Sequence, residues 1–138
     1  MSESDVNKPV KVLYTVSNLG DSGPNRVLYN ILRYIDPTRF CPEILTLSPE
    51  NELSIENKFI DIGIPIYKLE LSRLSGFTQS NKFRAFINAG NYTIVHNHSL
   101  RADIMAVPIV GSNTIVISTV HSCIADDHRM TYGKLKGF

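Results

Sequence analysis

Apolar and β-branched residues fall into five short runs along the chain, separated by stretches with helical spacing. Residues 10–17, Val-Lys-Val-Leu-Tyr-Thr-Val-Ser, read as a buried strand. Asn18-Leu-Gly-Asp-Ser-Gly23 breaks it, and Pro24 suits the opening of a helix, where a missing N–H costs nothing. Val27, Leu28, Ile31, Leu32 and Ile35 then form a core-facing helical stripe that Asp36-Pro37 ends. Ile44–Leu47 predicts a second strand, and about Asn51 to Ile62 a helix closed by Gly63. Ile64 to Leu71 predicts a third strand, with Pro65 at its start. Phe83, Phe86 and Ile87 place an apolar helical face between Thr78 and Gly90. Tyr92–His98 predicts a fourth strand, Ser99 the cap of a helix from Leu100 to about Val110, and Thr114–Val120 a fifth strand. The tail from Asp126 to Phe138 begins a helix-like pattern and stops without a sixth strand.

Strands alternating with helices predict an α/β fold: a doubly wound, Rossmann-like parallel sheet with helices on both faces. Right-handed crossovers leave few topologies, and strand order 3-2-1-4-5 is the natural one. Residues 1–9 read as a polar tail and 10–138 as one domain, since 138 residues fit one compact domain at most.

Composition narrows the function. The chain is 43% hydrophobic and 20% charged, which suits a globular core. A formal net charge of +1 gives no chain-wide basic field for nucleic acid. Arg101, Asp103 and Pro108 interrupt the best candidate for a membrane span, and the first nine residues lack the pattern of a secretory signal. Cys41 and Cys123 are far apart and in no CxxC, so a reducing cytoplasm is the expected setting. One segment is locally basic: between Leu71 and Ala102 Arg73, Lys82, Arg84 and Arg101 meet no acidic residue. Phe77, Phe83 and Phe86 lie in the same segment. Such a helix either packs its aromatic residues inward or lies on an anionic membrane surface.

In an open parallel sheet, ligands bind beyond the carboxyl ends of the strands, near the reversal of strand order. The Gly20–Arg26 loop, His96-Asn-His98 and His121 follow the first, fourth and fifth strands. The expected order brings all three to one rim. The loop fits a tight strand-to-helix turn, or a helix N-terminus that offers N–H groups to an anion or sugar oxygens. It has neither the GxGxxG spacing nor a P-loop Gly-Lys-Ser/Thr. His96 and His98, two apart on a strand, point to one side. They suit structural packing, hydrogen bonding to a sugar or phosphate, or a metal site shared with His121. No carboxylate or thiolate is spaced beside the pair, which counts against the metal, and no metal or cofactor is expected. A His-based metal hydrolase and a stand-alone flavodoxin-like binding module are the alternatives to the reading that follows.

Ser22-Gly-Pro-Asn-Arg-Val-Leu28 and Asp36-Pro-Thr-Arg-Phe40 resemble the Gly-Gly-x-Glu-Arg-Val-Leu … Asp-Pro-x-Arg-Phe pattern of family 4 glycosyltransferases. Gly63-Ile-Pro-Ile66, Ile94-Val-His-Asn-His98 and Ser118-Thr-Val-His121 match later landmarks in the same order, over about residues 10–125. Two positions depart from the pattern: Ser22 stands where glycine is usual, and Asn25 where glutamate is usual. The resemblance implies the N-terminal, acceptor-side half of a GT-B fold. It also implies transfer of a sugar, with retention, from a nucleotide-sugar donor to a glycan or lipid-linked acceptor. His121 would be the catalytic residue at the reacting centre. Gly23, Asn25, Arg26, His98 and Ser99 would bind substrate. Family members that touch membranes do so through a basic amphipathic element, which would give 71–102 a role on the inner face of the membrane. Most donor-binding groups would belong to a second domain, so this chain alone is expected to be inactive.

Overall fold

A computed structural model describes residues 8–71, 76–107 and 113–121. The elements run β1 Val10–Val16, α1 Gly23–Arg33, β2 Phe40–Thr46, α2 Glu56–Asp61, β3 Ile66–Lys68, α3 Gly76–Gly90, β4 Ile94–Asn97, α4 Leu100–Ala106 and β5 Ile115–Ser118. The five strands form one sheet in the order β3-β2-β1-β4-β5, all parallel. This is the expected doubly wound arrangement.

Alternation along the central strand sorts the core into two halves. Leu13 of β1 lies on one face with Leu45 and Val95, and α3 and α4 cover it with Phe83, Ile87, Ala102 and Met105. Val12, Tyr14 and Val16 lie on the other, covered by Leu28 and Leu32 of α1 and Phe59 of α2. Tyr29 meets Phe59 edge-on at a centroid distance of 5.5 Å, which fixes α1 against α2.

The element limits differ from the expected ones for local reasons. β2 begins at Phe40, before the aliphatic run, and carries Pro42 inside it. Proline is tolerated there because β3 pairs with β2 only at Ile44–Thr46, so at Pro42 the strand is still an edge. The helix expected from Asn51 shortens to α2, because residues 51–54 form a turn instead. Asn51 Oδ1 accepts from Leu53 N, and Ser54 bridges to Gly20 across the first loop. Gly63 adopts φ +79° just after α2, as its place at the end of that helix requires. Ser99 caps α4, its hydroxyl accepting from Ala102 N. The expected continuation of this helix to Val110 and the tail 126–138 lie outside the described residues, as does Cys123. No described helix is long and apolar enough to cross a membrane.

The amino end of the sheet holds a polar knot. Tyr92 OH donates to Glu43 Oε2. Lys11 Nζ donates to Gly90 O at 2.9 Å, lies 3.6 Å from Glu43 Oε1 and sits over the Tyr92 ring. Burial, with the Glu43 carboxylate beside it, pushes the Tyr92 hydroxyl far up from its ordinary value. The Tyr92 ring lies where a Cβ on Gly90 would be, 2.1 Å from Cε2, so only glycine fits the end of α3.

Phe83 is fully buried and Phe86 packs against the same core. The aromatic residues of the basic segment thus face inward where they are described. Phe77 and Arg73 have no described side chains.

Candidate functional site

Three chain segments meet at the carboxyl end of the sheet. His98 N donates to Thr15 O at 2.9 Å, and Thr119 N donates to Asn97 O at 2.9 Å, so the ends of β1, β4 and β5 are stitched together. The first loop leaves β1 two residues beyond Val16 and enters α1 at Gly23 on that same rim.

The loop is held from both sides. Leu19 N donates to both carboxylate oxygens of Glu50 at 3.0 Å, and Ser54 Oγ donates to Glu50 as well. Asn25, almost fully buried, turns its carboxamide inward, and Nδ2 donates to Asn18 O at 3.0 Å and to Gly20 O at 2.8 Å. A glutamate in this place could make neither bond, because an ionised carboxylate only accepts. Gly20 N, Asp21 N, Asn25 N and Arg26 N are taken by Asn18 Oδ1, Leu53 O, Ser22 Oγ and Ser22 O. Ser22 caps α1 from an extended backbone, as capping serines do. A Cβ on Gly23 would meet nothing within 4 Å, so the surface over the start of α1 is open. Arg26 Nε and Nη2 fork onto Asp21 at 2.6 and 2.9 Å.

The histidines form a contiguous group. His98 Nδ1 lies 3.0 Å from His121 Nε2, and His96 Nε2 lies 2.7 Å from Thr119 Oγ1. His96 and His98 are 4.5 Å apart between ring centroids, and Tyr14 flanks both at 5.3 and 5.9 Å. Burial, then the neighbouring His96 and His121, push His98 down to about 4, against a weaker pull from Asp103. Burial, then His121, lower His96 as well. Both rings are therefore neutral at pH 7 and act as dipolar hydrogen-bonding groups.

One proton lies between His98 Nδ1 and His121 Nε2. Whichever ring supplies it, His98 Nε2 is left buried with no partner among the described residues. Asn97, fully buried beside it, accepts from Thr15 Oγ1 and leaves Nδ2 unpaired. Buried polar atoms are nearly always satisfied, so two adjacent exceptions mark the end of β4 as unfinished without a ligand or water. The nitrogens face each other and Thr119, and do not converge on a common point. Among the described residues no three His, Cys, Asp or Glu side chains are grouped to hold a metal ion.

Among the residues expected from sequence, the structure leaves Gly23 open and His98 with a buried nitrogen to offer, and joins His98 to His121. Asn25, Arg26 and Ser99 have other occupations: bracing the loop, pairing with Asp21 and capping α4. Sequence reasoning passed over Tyr14, Asn97 and Thr119. A tyrosine in the buried part of the central strand, between Leu13 and Thr15, was the signal for the first; the other two carry none, because their partners lie 82 and 23 residues away.

The model of Glycosyltransferase Family 4 matches residues 22–138. No curated sequence relative matches. A solved structure, a glycosyltransferase from Rickettsia africae ESF-5, superposes with a TM-score of 0.62 at 16% identity, over 93% of this chain and 34% of that one. The chain thus shares that fold and spans about a third of that protein's length. With the family match covering most of the sequence and ending beyond its last described strand, the chain belongs to Glycosyltransferase Family 4.

Proposed function

We propose that this chain forms the acceptor-side wall of a glycosyl-transfer cleft, moving a sugar from a nucleotide-sugar donor to a glycan or lipid-linked acceptor with retention at the anomeric carbon. The observation that carries it is the contact of His98 with His121 at the sheet's carboxyl rim, where His98 Nε2 is buried and unpaired. Neutral imidazoles suit sugar hydroxyls, which both donate and accept. They position a reactant and steady developing charge, and neither is built as a free nucleophile, since among the described residues no carboxylate hydrogen-bonds to them.

Transfer needs water excluded and both reactants held in line, which one wall does not supply. The chain alone is expected to turn over no nucleotide sugar. In a full-length protein carrying this segment, His121→Ala should lower kcat/KM by about 10²–10³-fold, the usual worth of one positioned electrostatic group. Because His121 is exposed, the melting temperature should stay within about 2 °C. Unchanged turnover with a folded variant would remove the histidine pair from the reaction.

A further inference from the structure

The two imidazoles of β4 lean in the same direction. Ile117 lies opposite His96 in the pairing of β4 with β5, but an aliphatic side chain offers a ring nitrogen no partner. His96 Nε2 instead meets Thr119 Oγ1 at 2.7 Å, two residues further along the chain. His98 repeats the step. The same register, continued past Asn97 and Ser118, sets Thr119 opposite it, yet His98 Nδ1 meets His121 Nε2 at 3.0 Å. The ring centroids lie 4.5 Å apart, so the tilt of the half-buried His96 limits the tilt of His98. His121 cannot impose this arrangement, since it is exposed and His98 is its one hydrogen-bonding partner among the described residues. Tyr14 flanks both rings and hydrogen-bonds to neither, so it packs them without choosing their lean. Thr119 is itself anchored, its N–H donating to Asn97 O at 2.9 Å.

We propose that Thr119 is a positioning residue for the rim: by holding His96 one step towards the carboxyl end of the sheet, it sets His98 against His121 and fixes which nitrogen His98 keeps to offer. The inference rests on reading the rim as part of a transfer site and deepens it. Thr119 acts through two rings and not on a reacting atom. Valine has the same shape and β-branching, but it leaves the half-buried His96 Nε2 without its partner, and the ring is then free to turn. Serine keeps the hydroxyl. A misplacement of about 1 Å can cost on the order of a hundredfold in rate, so a smaller, relayed shift should cost about tenfold.

The imidazole nitrogen resonances of this chain at pH 7 give the direct test. The native chain should show His98 with one protonated and one bare nitrogen, as a ring locked against His121 must. Thr119→Val should draw the two His98 resonances towards each other as the ring begins to exchange tautomers, and Thr119→Ser should restore them. Thr119→Ala, which removes the same hydroxyl with less bulk, should shift them as valine does. His98 resonances that stay in place in both hydroxyl-free variants overturn the inference. In a full-length protein carrying this segment, Thr119→Val should lower kcat/KM about tenfold, and Thr119→Ser should recover most of that loss. The loss should vanish in a His121→Ala background, where the contact that Thr119 maintains is already gone. An equal loss in both backgrounds would place the action of Thr119 elsewhere and overturn the inference. If His121→Ala itself leaves turnover unchanged, the transfer reading fails, and the resonances alone judge Thr119.

Discussion

The two ends of the sheet handle buried polar groups in opposite ways. At the amino end Lys11, Glu43 and Tyr92 satisfy one another and the Gly90 carbonyl. At the carboxyl end His98 Nε2 and Asn97 Nδ2 are buried and unpaired, a few ångströms from a well-formed His98–His121 contact. Both ends are assembled by the same central strand, through Lys11 at one extreme and Tyr14 and Thr15 at the other. A closed network stabilises a fold, whereas an open one costs stability and persists where something else completes it. Polarity therefore does not tell the two ends of the sheet apart; the pairing of their buried groups does.

This contrast can be broken by experiment. Glu43→Ala should cost about 2 kcal/mol in urea denaturation, because it strands the buried Tyr92 hydroxyl and takes the carboxylate from the half-exposed Lys11 ammonium. A loss below about 1 kcal/mol would show that the knot is solvated and the contrast unfounded.

The open end should instead respond to acid. His96 and His98 are lowered in the folded chain, so between the folded and ordinary histidine values the unfolded chain binds more protons. Their contribution is complete at pH 7 and is lost as pH falls towards about 4, the value for His98. After allowance for partial solvent exposure, stability should fall by about 2 kcal/mol between pH 7 and 4 on account of these groups. His98→Asn should remove most of that slope. A slope unchanged in the variant would assign the acid sensitivity elsewhere.

The smallest effect concerns the loop that flanks the open end. Asn25→Ala removes two donors to loop carbonyls and should cost about 1–2 kcal/mol. Amide exchange should quicken at Leu19 to Asp21 before the rest of the chain. Uniform quickening would mean that Asn25 supports the core and not the loop.

Much of the fold was legible because its causes are local. The aliphatic β1 run, Leu28 and Leu32 of the expected stripe and Gly63 each act on neighbouring residues, and the strand-helix alternation then restricts topology through crossover handedness. Val27 and Ile31 of that stripe are exposed, because the buried face of α1 is narrower than the run of aliphatic residues. The limits of α2 and β2 were not legible. The bridge from Ser54 to Gly20 shortens one, and the late start of β3 frees Pro42 in the other. The aromatic residues of the basic segment had two readings, and burial of Phe83 and Phe86 supplies the missing fact.

The sequence by itself determined the five parallel strands and their order, the rim to which the first loop, His98 and His121 belong, and the family pattern those residues carry. Only the tertiary structure decided which of the rim's polar groups find partners within the chain. Asn25, Arg26 and Ser99 each take a partner within the chain, while His98 keeps one nitrogen unpaired. The reason is physical. Secondary structure follows from each residue's neighbours along the chain, but a hydrogen bond is satisfied by whatever the fold brings within about 3 Å, however distant in sequence.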